Sequence, residues 1–221
     1  LEKGALAVIS ETDLALEPAL VYPAVRQCMG AWQKQYLGTI DPVTATRILA
    51  VTGTNGKTTI SRLVAELISL QGRKCAVMGT TGNGILPHLD ASSHTTLDAL
   101  NLQNLLHNFA KQGAEFTSLE ASSHGLEQGR LNGCEIEIAA YSNLSRDHLD
   151  YHGMLEAYAQ AKAQLFKFAT LKVAVINIDD AHASVMLDAA SGNLAHPKVL
   201  RYSTSQAADY QVFGIQYALE G

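Results

Sequence analysis

The chain has 221 residues, 47% hydrophobic and 17% charged, with a formal net charge of −5. That hydrophobic content supplies a packed core, whereas an acidic balance without a basic stripe argues against binding to nucleic acid or to an anionic membrane surface. Cys28, Cys75 and Cys134 lie far apart without a CxxC pair, and neither an apolar run of about 18 residues nor a charged-then-apolar leader is present, so the expectation is a soluble, cytoplasmic protein without a disulfide framework or zinc site.

In chain order, ALAVIS reads as an opening strand. From Tyr22 to Leu37 the apolar residues Val25, Cys28, Met29, Trp32 and Tyr36 recur at helical spacing, which predicts an amphipathic helix ended by Gly38. We expect a domain junction there, with Trp32, Tyr36 and the methionines as core or junction packing. Strands and helices then alternate: RILAVT with a helix from Lys57 to about Leu70, CAVMGT with a helix across Leu97 to Gln112, and FTSLEA with a short turn segment. IAAYSN with a helix over Leu155 to Phe168, and VAVINI with a helix near Ala181 to Ala190, continue the pattern. Apolar strands alternating with helices predict an α/β fold, a three-layer parallel sheet with helices on both faces. Beyond Val199, VLRYS and DYQVFGIQYAL read as strands without clear helices between them. The first strand lacks neighbours and QVFGIQYALEG halts in a strand, so flanking segments are expected.

VTGTNGKTTI, Val51 to Ile60, joins a strand to a helix. It ends like the phosphate loop GxxxxGK[ST], but Val51 holds the place of the first glycine. A loop that opens a helix aims backbone N–H groups at an anion, aided by the positive end of the helix dipole. Gly53 and Gly56 suit that geometry, Lys57 would reach the β and γ phosphates, and the Thr58 hydroxyl would ligate Mg²⁺. Read blandly, the same residues are a glycine turn and an exposed lysine. Glu120, at the end of a parallel strand, is a hard oxygen ligand placed where such sheets bind ligands; its bland reading is a surface carboxylate.

GTNGKTT resembles the shortened phosphate loop of the Mur ligases and of their relatives, the folylpolyglutamate synthases. EASSHGLEQGR (Glu120 to Arg130), YSNLSRDHLDYHG (Tyr141 to Gly153) and AYAQAKAQLF are similar to segments of the Mur ligase that adds the third residue of the peptidoglycan precursor. The resemblance implies a phosphate-loop central domain over residues 27–221, incomplete at its C-terminal end, after residues 1–26 as a remnant of an N-terminal UDP-binding domain. It implies ATP at Gly53, Thr54, Asn55, Gly56, Lys57, Thr58 and Thr59, and Mg²⁺ at Thr58, Glu120, His148 and a carbamylated Lys162. It implies UDP-MurNAc-L-Ala-D-Glu at Thr95, Thr96, Ser122, Gln128 and Arg130. The catalytic set implied is Lys57, Glu120, His148 and Lys162.

The implied activity is ATP-dependent amide formation between the D-glutamate carboxylate and a diamino acid, meso-diaminopimelate or lysine, with overall resemblance favouring meso-diaminopimelate, through an acyl phosphate and without a protein nucleophile. A monomer without nucleic-acid or membrane partners is expected, inactive as this piece alone. The rivals are a folylpolyglutamate synthase, which shares the loop but lacks SSHGLEQGR, and a nucleotide-binding module without activity; a GTPase would need an NKxD segment, which is absent. Apart from the resemblance, His148 reads as a hydrogen-bonding histidine, Lys162 as an exposed helical lysine and Thr95 or Thr96 as a helix N-cap. Asp147 and Asp150 read as turn or cap residues, and His152 stays unassigned.

Overall fold

The computed structural model describes residues 4–41 and 43–214. Two short strands, β1 (Val8–Ser10) and β2 (Ala19–Val21), pair in parallel ahead of α1 (Val25–Ile40). The remaining elements are β3 (Arg47–Thr52), α2 (Lys57–Leu70), β4 (Cys75–Gly79), β5 (Gly82–Ile85), α3 (Ala99–Lys111), β6 (Phe116–Glu120) and α4 (Ser123–Glu127). They continue with β7 (Ile136–Tyr141), α5 (Leu149–His152), α6 (Leu155–Ala163), a 3₁₀ turn at Gln164–Lys167, β8 (Val173–Asn177), α7 (Ala183–Ser191), β9 (Lys198–Ser203) and β10 (Tyr210–Gln211).

The main sheet runs β10-β9-β8-β7-β3-β6-β4-β5. Every pairing in it is parallel except β4 with β5, which is antiparallel. The expected α/β sheet is therefore present with one reversed edge strand. A four-residue segment such as GNGI carries too little hydrophobic pattern to read as a strand.

Alternate residues of β4 show why helices cover both faces. Cys75 and Val77 pack with Ala65 of α2, whereas Ala76 and Met78 join the larger core that holds Leu102, Leu106 and Phe109 of α3. Asp98 caps α3, its carboxylate accepting the Leu100 and Asn101 amides at 3.1 and 3.0 Å. The threonines before it are thus not its N-cap; a carboxylate serves the orphan amides better.

Several expectations change on contact with the fold. The turn after β6 is a short helix, and the helix expected through Phe168 gives way to the 3₁₀ turn after Ala163. Met78 and Met186 are buried, but Met154 and Tyr36 are exposed, and Trp32 stays partly open against Tyr22, with ring centroids 5.4 Å apart. Of the last expected strand, β10 is described and residues 215–221 lie outside the described residues. All three cysteines are free, and among the described residues no helix is long and apolar enough to cross a membrane.

Candidate active site

The chain leaves β3 toward β4 on one side of the sheet, returns to pair β6 beside β3, and then crosses to β7 on the other side. The C-terminal end of β3 is thus a topological switch point, where crevices open in such sheets. The phosphate loop Gly53–Gly56 sits there. Val51 lies inside β3, paired with both Glu120 and Ala140, so the strand runs on through the position that a longer loop would give to its first glycine.

Gly53 has φ +150°, and a Cβ on it would stand 1.9 Å from Ser142 Oγ; Gly56, the residue before α2, has φ +84°. Both positions therefore demand glycine. The first amides of α2 lack intrahelical acceptors by position and supply an anion site. Lys57 Nζ folds back on the loop, donating to Gly53 O and Thr54 O at 2.9 Å each. Burial holds its pKa below the ordinary lysine value, opposed by the nearby Glu120 and Asp147 carboxylates.

Glu120 ends β6 with 1% exposure. Its Oε2 accepts Thr58 Oγ1 at 2.8 Å and Thr80 Oγ1 at 3.3 Å, and its Oε1 accepts Thr80 N at 2.9 Å. A buried carboxylate needs such partners. It is no surface group, and it joins the predicted metal hydroxyl, Thr58, directly.

Lys162, in α6, is 1% exposed, which removes the reading of it as a surface lysine. Its Nζ donates to Gly53 O at 2.9 Å and lies 4.2 Å from the centre of the Tyr158 ring. Burial, reinforced by the charge of Lys57 and opposed by Asp147, pushes its pKa down to about 7. An amine so placed is substantially neutral near neutral pH. His148 has φ +53°, pairs with Asp147 at 3.6 Å and faces the Tyr158 ring edge-on at 6.1 Å, so it reaches the Lys162 neighbourhood through that ring. Asp147 also accepts the His148 amide, the turn role expected of it. His152 is anchored by Ser123 Oγ at 2.9 Å and Glu127 at 3.2 Å.

The other predicted residues also gather at this end of the sheet. Thr95 Oγ1 meets Thr80 Oγ1 at 3.0 Å. Thr96, 2% exposed, bonds through its hydroxyl to Glu120 O and Ser122 N at 2.8 and 3.0 Å, while Arg130 Nη1 donates to Thr96 O at 2.7 Å. The Arg130 fork also grips Gln128 Oε1, whose amide nitrogen reaches Tyr151 OH, and Ser122 caps α4 through the Gly125 amide. Thr59 is exposed in the first turn of α2. Sequence reasoning missed Tyr158, which bonds Thr54 Oγ1 at 3.3 Å beneath Lys162, and Asn143, which holds Asn55. Tyr158 stands four residues before Lys162, a helical spacing that could have marked it.

Fold and site together define a phosphate-loop α/β domain with a buried carboxylate and a buried lysine at the loop. Residues 51–221 match the Mur ligase middle domain, and the chain belongs to the Mur ligase family. It is 42% identical, over its whole length, to a Chromobacterium violaceum protein named UDP-N-acetylmuramoyl-L-alanyl-D-glutamate--2,6-diaminopimelate ligase, of which it covers 45%. A Vibrio cholerae protein of the same name is 53% identical over 61% of this chain and 27% of its own. A solved structure bearing that name superposes with a TM-score of 0.95 at 68% identity, over 100% of this chain and 45% of that one. Escherichia coli FolC, solved in complex with ADP, shares the fold at a TM-score of 0.61 and 19% identity, over 87% of this chain and 51% of that one. The chain thus spans less than half the length of these two named relatives.

Proposed function

We propose that the chain is the ATP-binding central part of a ligase that joins a diamino acid, meso-diaminopimelate, to the D-glutamate carboxylate of UDP-MurNAc-L-Ala-D-Glu through an acyl phosphate. The place of such a reaction is cytoplasmic peptidoglycan precursor synthesis, hence cell-wall growth, shape and division, by a monomer. The observation that carries the reading is the convergence of Lys57, Thr58, Glu120 and Lys162 on one loop at the switch point. The similarity to proteins named as diaminopimelate ligases favours this substrate over a folate. Residues 1–26 are assigned to a separate N-terminal UDP-binding unit and 27–221 to the central domain, a boundary inside the first turn of α1.

The donor set fits Mg²⁺: a buried carboxylate and a hydroxyl are hard oxygen ligands, with His148 and a carbamylated Lys162 completing the proposed set. When bound, the ion supplies charge neutralisation of the phosphates. Lys57, released from Gly53 O and Thr54 O, orients the γ-phosphoryl group and spreads its charge. The neutral amine that burial favours at Lys162 is the form that adds CO₂, forming an N–C bond and releasing a proton to solvent, so that a neutral group beside Lys57 becomes a carbamate anion. Arg130, released from Gln128 Oε1, offers a planar fork to a carboxylate or phosphate of the muramyl peptide, with Thr95, Thr96, Ser122 and Gln128 completing the proposed set.

The test uses the full-length protein with ATP and Mg²⁺. Phosphate release should require UDP-MurNAc-L-Ala-D-Glu together with diaminopimelate, with lysine a poorer co-substrate, and Lys57→Ala should abolish ATP binding in calorimetry. Turnover with tetrahydrofolate and glutamate instead would replace this reading by the folylpolyglutamate one.

A further inference from the structure

The phosphate loop does not hold its shape alone. The segment after β7 clasps it from behind: Asn143 O accepts Thr54 N at 2.8 Å, Asn143 Oδ1 accepts Asn55 N at 3.0 Å and Asn143 Nδ2 donates to Asn55 O at 3.2 Å. One asparagine thus matches both polar groups of residue 55, which only a side-chain amide offers in one plane. Ser142 Oγ adds a bond to Asn55 O at 2.6 Å.

That segment is held in turn by the strand beyond it. Asp180, just after β8, accepts Leu144 N on Oδ2 at 2.8 Å, and Tyr141 OH and His182 N on Oδ1 at 2.7 and 2.9 Å. Leu144 N belongs to the peptide that follows Asn143, so this bond sets where the Asn143 side chain begins. Tyr141 stays protonated and donating, because burial and the Asp180 carboxylate both raise its pKa. Charge-assisted bonds of this kind are the stronger sort.

We propose that Asn143 and Asp180 are positioning residues for the nucleotide phosphates, Asn143 by fixing residues 54 and 55 of the loop and Asp180 by fixing Asn143. The inference rests on the reading of the loop as the ATP site. Asp180 contacts no residue of the loop itself in this arrangement; it acts through two intervening residues, and its three donors leave it no role as a free surface charge.

The experiment compares MgADP with AMP, which lacks the β-phosphate, in calorimetry of the full-length protein. Asn143→Ala and Asp180→Asn should each weaken MgADP binding about tenfold, the loss of one or two hydrogen bonds, with AMP binding unchanged. Asp180→Asn fails because its amide turns a donor toward a backbone donor. Asn143→Asp keeps the acceptor for Asn55 N but sets a carboxylate against Asn55 O; it should weaken MgADP at least as much, and it serves if the alanine variant does not fold. Tyr141→Phe removes an Asp180 bond that does not lead to Asn143, so it should lower the melting temperature and leave the MgADP to AMP ratio within about twofold. Unchanged MgADP affinity in Asn143→Ala and Asn143→Asp, or an equal loss in Tyr141→Phe and Asp180→Asn, would overturn the proposal. If Lys57→Ala binds MgADP as wild type does, the nucleotide reading falls, and this inference with it. If Lys57→Ala loses binding while the Asn143 and Asp180 variants keep it, only this inference falls.

Discussion

Gly79→Ala is a steric test of how Glu120 is held. Gly79 ends β4, and its φ lies outside the left-handed region, so alanine fits the backbone there. A Cβ at this position would stand 2.1 Å from Glu120 Oε1 and 2.7 Å from its Cδ and Cγ. The carboxylate must therefore retreat by about 1 Å or more, well beyond what hydrogen bonds of 2.8, 2.9 and 3.3 Å to Thr58 and Thr80 tolerate. Because Glu120 is 1% exposed, water cannot replace the lost partners. Overpacking costs about 1–3 kcal/mol and a buried charge deprived of donors a similar amount, so the total expected is about 3 kcal/mol. The assay is a double-mutant cycle with Glu120→Ala in the full-length protein, read by urea unfolding of this domain and by the Mg²⁺ dependence of ADP binding. Removing the carboxylate leaves room for the methyl group, and the cost of Gly79→Ala should then fall below about 1 kcal/mol, a coupling expected only of residues in contact. The same cost in both backgrounds would refute the argument that Gly79 exists to admit Glu120.

With its folded pKa near 7, Lys162 should show a carbamate signal in ¹³CO₂ spectra that grows as pH rises from about 6 to about 8, since deprotonation frees the amine; Lys162→Ala should lose the signal and most turnover, and a signal independent of pH would remove the depressed pKa from the account. Its depressed folded pKa also means that the unfolded chain binds more protons from about pH 7 up to the ordinary lysine range, so the unmodified protein should gain stability with rising pH there, and a Lys162→Met variant should show a flatter pH–stability curve. Arg130→Ala in the full-length protein should raise the Kd for UDP-MurNAc-L-Ala-D-Glu by tenfold or more, at about 1.5–3 kcal/mol for a charged hydrogen bond, and leave ATP within about twofold; equal losses would mark a folding role through Thr96 O. Gly30→Ala places a Cβ 2.0 Å from Asn132 O, a backbone atom that cannot step aside, and should lower unfolding stability by about 1–3 kcal/mol.

The α/β alternation was legible because buried parallel strands are continuous apolar runs and their helices amphipathic; the bounds of α2 agree with the expectation to the residue. The strands β2 and β5 were not legible, being three and four residues long with no period to detect. In the site, Lys57 and Thr58 could be read from local spacing, since a strand, two glycines and a helix start carry their own geometry. Lys162 could not: an alanine-rich helical lysine looks solvent-bound until the fold brings Gly53 O to it. Asn143 was invisible for the same reason, its partners being far away in the chain, whereas Tyr158 is remote from Thr54 but only one helical turn from Lys162.

That remoteness has a kinetic meaning. The Asn55 bonds to Asn143 span 88 residues and the bond from Lys162 to Gly53 spans 109, separations that impose a large closure entropy before any contact forms. During synthesis at about 5–20 residues per second, the loop emerges several seconds before the residues that clasp it. A chain halted between α4 and β7 would carry every residue of GTNGKTT and still lack the clasp, so nucleotide should protect a nascent chain from protease only once α6 has left the ribosome.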